Sequence, residues 1–269
     1  MPRGTPTENA RANSPMARVP MPERPRTEAE SAGVAGRPLA QRRRSGRPPA
    51  IIFDVEGTLI DCAPQILECW QGTLREFGHE FSIPALHPLV GLDTDDMLAT
   101  LLPDIGDDEK RAITNAQGKR YREQYLPFVG AFPGARLVIE RMRRAGYRIG
   151  LETSSQRDEL AAYVHLAGLT GLFDAVACGS DKGMRGKPHP NLLSLVLRRL
   201  GRPIQAIHVG DTPYDGMAAR HLGLSAVGTL TSGFRADELT RAGCDAVIGA
   251  LPELLAVLRR MSASAEARP

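Results

Sequence analysis

From Ala50 onward the chain alternates short apolar runs with amphipathic segments, and few architectures accept that alternation. The runs AIIFDV (50–55), RIGLET (148–153), AVAC (175–178), IQAIHVG (204–210), SAVGTL (225–230) and DAVIGA (245–250) are too continuously apolar to have a wet face, so they read as strands buried on both sides. Between them lie GARLVIERMRRAG, SQRDELAAYVHLAG, HPNLLSLVLRRLG, PYDGMAARHLG and ADELTRAG. Each closes in glycine, as helix C-termini often do. Strand and helix in turn predict an α/β fold of three layers, a parallel sheet with helices on both faces. One stretch breaks the rhythm. Residues 63–131 read as helices only, PQILECWQGTLREFG, DTDDMLATLLP and DDEKRAITNAQGKRYREQYL. They follow the first strand and precede the rest of the sheet, so they are expected to form an inserted α-helical cap, with the core at 49–62 and 132–262.

With 269 residues, 42% of them hydrophobic, the chain can bury a sizeable core, and with only 5% aromatic residues that core must be aliphatic. The net charge of +3 misleads. Ten arginines against four glutamates precede Ala50, so the remainder is acidic and offers nucleic acid no electrostatic footing. Residues 1–48, rich in Pro, Arg, Ala, Gly and Ser, have too few large apolar side chains to offset the entropy of ordering, and a disordered tail is expected. Cys62, Cys69, Cys178 and Cys244 form no CxxC pair, which points away from a disulfide framework or structural zinc and towards a reducing cytoplasm. No run approaches the ~18 apolar residues of a membrane span. Oligomeric state is not legible.

In an open parallel sheet, ligands bind beyond the carboxyl ends of the strands, and there this sequence gathers its polar residues. Asp54 ends the first strand, Thr153 and Ser154 end the second, and Asp211 ends the fourth with Asp215 four residues on. Lys187 precedes PHP in the loop after the third. Carboxylates drawn from separate strands repel one another in a dry site unless a cation holds them, and hard oxygen ligands suit Mg²⁺.

DVEGTL, LETSS, GKP and GDTPYD, in that order and each at a strand end, resemble the four motifs of the haloacid dehalogenase-like (HAD) hydrolases, in the branch with a helical cap after the first strand. The resemblance spans about residues 50–260 and implies a Rossmann-like core. It also implies hydrolysis of a small phosphorylated metabolite through an aspartyl-phosphate on Asp54. By the same resemblance Thr153 would hydrogen-bond the phosphoryl oxygens and Lys187 would neutralise charge shared by Asp54 and phosphate. Gly57 and Thr58 would form the turn that presents backbone N–H groups to substrate, with Ser154 beside it. Asp54, the backbone carbonyl of Glu56, Asp211 and Asp215, the last directly or through water, would hold Mg²⁺.

Glu56 stands where the family usually has Asp. The carbonyl's duty does not depend on side-chain length, and Glu supplies acid/base chemistry one methylene further out. The enolase-phosphatase branch has a similar D-x-E-G-T. Where β-phosphoglucomutases of the family carry a histidine, this chain has Ile66. Where they carry an arginine in the cap, it reads Gly91, Leu92, Asp93, Thr94. Plain hydrolysis of the phosphoglycolate phosphatase type is therefore expected, with a phosphosugar mutase or a non-catalytic metabolite-binding protein as the alternatives. The acids at 93–96 and 107–109 precede apolar-periodic runs and read as helix N-terminal capping. His189 and His208 read as packing, and Cys62 as a small buried hydrophobe.

Overall fold

The structure, a computed structural model, describes residues 48–266, with side chains through Met261. The segment read as a disordered tail lies, up to residue 47, outside the described residues. Six strands form one sheet: β1 (Ala50–Phe53), β4 (Arg148–Glu152), β5 (Ala175–Ala177), β6 (Ala206–Gly210), β7 (Ser225–Thr229) and β8 (Ala246–Ile248). Their spatial order is β5-β4-β1-β6-β7-β8, and every pairing is parallel.

The apolar runs read as strands are all strands. Successive residues of β1 serve opposite layers, which is why the run could not alternate with polar residues. Ile51 and Phe53 face Val138, Ile139 and Met142 of α5 (Ala135–Arg144), Leu160 and Tyr163 of α6 (Arg157–Leu166), and Leu254 and Leu258 of α10 (Leu254–Glu266). Ala50 and Ile52 face Leu192, Leu193 and Val196 of α7 (Asn191–Arg199) and Ala218 and Ala219 of α8 (Pro213–His221). Leu239 of α9 (Ala236–Ala242) closes this layer. Gly150 inside β4 has a steric cause, since a Cβ there would come within 2.4 Å of Val196.

Between β1 and β4 the chain forms an antiparallel ribbon of β2 (Ile60–Asp61) and β3 (Gly130–Ala131). From that ribbon rises the helical insertion: α1 (Ala63–Glu76), α2 (Ile83–Leu86) with a 3₁₀ turn at His87–Leu89, α3 (Thr94–Leu101) and α4 (Asp107–Gln124). The insertion has its own core, built on Leu67, Trp70, Leu74, Leu86, Leu98 and Ile113. Asp93 caps α3 by accepting from the Asp95 N–H. The N-cap of α4 is Gly106, so Asp107, Asp108 and Glu109 are first-turn acids favoured by the helix dipole rather than caps. Among the described residues no helix is long and apolar enough to cross a membrane.

Candidate active site

Parallel register brings the motif residues to one edge. Ile52 pairs with Gly150 on one side and His208 on the other. The chain therefore leaves β1, β4 and β6 at one level, delivering Asp54, Thr153 and Asp211 together. All three are buried, as are Thr58, Lys187 and Asp215.

Lys187 is the hub. Its Nζ donates to Asp54 Oδ1 and to Asp215 Oδ1 at 2.8 Å, and lies 3.7 Å from Glu152 Oε1. Burial disfavours its charge, but Asp215, Asp54 and Glu152 outweigh burial and hold the lysine pKa well above its ordinary value. Asp215 uses its other oxygen at the start of α8, accepting from the Thr212 N–H at 3.0 Å and the Thr212 hydroxyl at 2.6 Å. Both Asp215 oxygens are thus engaged within the protein. Burial pushes that carboxyl up, but Lys187, His208 and the hydrogen bonds from Lys187 and Thr212 together keep it below its ordinary pKa.

Asp54 and Asp211 are different. Asp54 Oδ2 and Asp211 Oδ2 are buried and accept no hydrogen bond, although Thr58 donates to Asp211 Oδ1 at 2.6 Å. Burial, and then the neighbouring Asp215, push Asp211 up to about 6, and burial raises Asp54 well above the usual carboxylate range. Two open carboxylate oxygens in a dry site are the donor set a hard divalent cation takes, and such a cation would return both groups to the ionised form. Gly57, at φ +77°, keeps this corner open. A Cβ there would lie 2.3 Å from both Asp211 Oδ2 and the Ser232 hydroxyl.

Glu56 faces the same space from the other side. It accepts from the Thr153 hydroxyl at 2.7 Å and from the Ser155 hydroxyl. Burial raises its pKa, with those two hydrogen bonds opposing. Thr153, expected to serve phosphoryl oxygens, here directs its proton to Glu56 and accepts from the Ser155 N–H. Ser154 is exposed on the wall of the cavity above the site, while its neighbour Ser155 holds the carboxylate. That cavity, about 300 Å³, runs from Asp54, Glu56 and Lys187 up into the helical insertion.

Three features go beyond the sequence reading, in which His208 is packing and Asp96 capping. Glu152 and His208, on the strands flanking β1, are fully buried beneath Lys187, with His208 Nε2 3.2 Å from Glu152 Oε1 and 3.9 Å from Asp215 Oδ1. Glu152, His208 and Asp215 have the spacing of metal ligands, but the Lys187 ammonium already sits between the two carboxylates. Ser232, after β7, borders the Gly57 corner. Asp96, a first-turn acid of α3 as expected, also accepts from Arg185 at 2.6 Å and contacts His189 Nε2 at 2.9 Å. It thereby ties α3 to the loop that carries Lys187, and gives His189 a polar role where packing was expected.

A buried carboxylate at a strand end, an ammonium against it and an acid across the cavity define a hydrolase-type site on an α/β sheet. Residues 51–229 match the family described as haloacid dehalogenase-like hydrolase, and the chain belongs to that family. It is 28% identical over 212 residues to "Probable phosphatase IndB" of Dickeya dadantii, covering 77% of this chain and 92% of that protein. It is 31% identical over 192 residues to "Phosphoglycolate phosphatase" of Rhodobacter capsulatus, covering 70% and 86%. Among solved structures, a hydrolase from Pseudomonas syringae superposes with a TM-score of 0.73 at 26% identity, covering 79% of this chain and 99% of that one.

Proposed function

We propose that the protein is a Mg²⁺-dependent phosphatase of small phosphomonoesters, working through an aspartyl-phosphate on Asp54. The observation that carries this reading is the divided state of Asp54: one oxygen is held by Lys187 and the other, buried, has no partner beside the equally open Asp211. Asp54 and Asp211, with the Glu56 carbonyl, would hold the ion, while Asp215 serves the lysine or reaches the ion through water. The ion supplies charge neutralisation for the phosphoryl oxygens.

The protein's own groups do the rest. An Asp54 oxygen attacks phosphorus as the bond to the ester oxygen breaks, and Glu56, protonated, gives its proton to the departing alkoxide. Glu56, now a carboxylate, takes a proton from water, whose oxygen attacks the aspartyl-phosphate and restores Asp54 with release of phosphate. Lys187 balances charge throughout. Thr153 and Ser155 orient Glu56, and Gly57, Thr58 and Ser154 border the phosphate. Four free, buried cysteines accord with work in the cytoplasm, and the relatives named for phosphoglycolate accord with a small substrate.

The test is hydrolysis of phenyl phosphate by the parent and by Asp54→Asn, with and without Mg²⁺. Turnover is expected only in the parent with the ion, with acid-stable phosphate trapped on Asp54. Full turnover by folded Asp54→Asn refutes the covalent route.

A further inference from the structure

Above the reacting groups the cavity is bounded by two unlike sets of side chains. One is apolar, formed by Ile66, Leu67 and Trp70 of α1 and Met97 of α3. The other is α4, which presents the neutral polar side chains of Thr114, Asn115 and Gln117. Among the described residues that line this space the cationic groups are Lys187 and Arg122, and each already faces carboxylate. Lys187 is taken by Asp54 and Asp215. Arg122 Nη1 donates to Glu159 Oε1 at 2.9 Å, and that glutamate, with only 10% of its side chain exposed, has its charge matched by the arginine and by the N–H of Gln156.

The phosphoryl end of a substrate has its own counter-charges below. A second anionic group on the leaving alcohol would enter a space where every lining cation is paired. It would shed water against Trp70 and Leu67 with no unpaired cation in return, only neutral donors, which is the costly way to bury a charge. A neutral alcohol with an alkyl segment would fill the same walls favourably, and Asn115 and Gln117 could meet a hydroxyl or amide on it.

From this we infer that the substrate is the phosphate monoester of an uncharged, partly apolar alcohol, and not of a hydroxy acid such as glycolate. The inference rests on the phosphatase reading above and narrows its substrate class. It is tested with the full-length protein and Mg²⁺ by comparing kcat/KM for n-butyl phosphate with that for 4-phosphooxybutanoate and 2-phosphoglycolate, with phenyl phosphate as the indicator of chemistry. The butyl ester is expected to exceed both acids by at least about tenfold, the scale on which a pocket discriminates by one group. Asn115→Arg, at an exposed position on the α4 wall, is expected to shift the ratio towards the acids. Hydrolysis of phenyl phosphate with either acid preferred to the butyl ester overturns the inference and leaves the phosphatase reading standing. Hydrolysis of none of the four esters overturns both.

Discussion

Lys187→Met removes the ammonium from among Asp54, Asp215 and Glu152 while keeping most of the stem's volume. Breaking a buried charge cluster by deleting one partner costs about 3–5 kcal/mol, because the others remain unpaired. At about 2–4 °C per kcal/mol for a chain of this size, the melting temperature should fall by roughly 6–20 °C near neutral pH in chelator. The pH dependence has a definite sign. Asp54 and Asp211 have raised pKa values in the fold, so forcing them to ionise destabilises it. Loss of Lys187 should raise Asp54 and Asp211 further, since the lysine now opposes their upward shift. The deficit should therefore be small below the ordinary carboxylate value of about 4 and grow as pH rises through Asp211's value of about 6. Mg²⁺ should recover part of it by supplying charge to Asp54 and Asp211, and Glu152→Gln in the same background should recover part by deleting one acid. Thermal unfolding followed by circular dichroism, across pH and with or without the ion, reads all of this. A melting temperature within about 2 °C of the parent near neutral pH in chelator, on the same scale, would refute the charge-hub account.

Glu56→Ala should slow alkyl phosphate hydrolysis by ~10²–10⁴, the range for a lost acid/base group. With phenyl phosphate it should give a burst of phenol close to one per site and then stall, whereas parental turnover of the alkyl ester would make Glu56 a bystander. Gly57→Ala should weaken the Mg²⁺ requirement's half-saturation by ~10–100-fold, read from activity against ion concentration, because its Cβ intrudes on Asp211 Oδ2. Asp181, held down to about 2 by its hydrogen bonds to Arg199, contributes stability that is present above about 4 and lost as pH falls towards 2. Urea unfolding of Asp181→Asn should thus show a deficit at neutral pH that closes over that acid interval.

Much of the site was legible because its chemistry is local in sequence. Asp54, Thr153 and Asp211 each end an apolar run, and a parallel sheet must deliver such positions to one edge. Glu152 and His208 were harder, because their meaning depends on which strands flank β1, and periodicity within one strand does not give strand order. A signal was present all the same. A glutamate inside RIGLET and a histidine inside IQAIHVG interrupt runs too apolar to have a wet face, and a charged group buried there must find a partner. Ser155 and Ser232 left less trace. Which of two adjacent serines turns inward is set by the φ/ψ of one residue, and Ser232 enters through the turn after β7, outside any motif. Asp96 lies in the first turn of α3, as expected of an acid at a helix start, but its pairing with Arg185 and His189 was hidden because helix-end chemistry says nothing of what the helix faces.

The placement of Asp96 changes how the helical insertion relates to the chemistry. Asp93 accepts from the Gly186 N–H at 2.5 Å, and its own N–H donates to the Lys187 carbonyl at 2.7 Å. Asp96 takes Arg185 and His189 on either side. One turn at the start of α3 therefore grips the backbone on both sides of the lysine that holds Asp54. Tyr214 reaching the Pro88 carbonyl at 2.8 Å and His87 reaching the Ser232 carbonyl at 2.7 Å fasten the same insertion to the start of α8 and to the turn after β7. Moving the insertion away from the sheet would have to release these contacts together, freeing the Lys187 loop and the Ser232 turn beside Gly57 in the same step. In that arrangement the element that walls the substrate off from water also sets the position of the charge on the nucleophile. Excluding water and aligning Lys187 with Asp54 then become one event rather than two, so a site left open to solvent would also lack its aligned lysine.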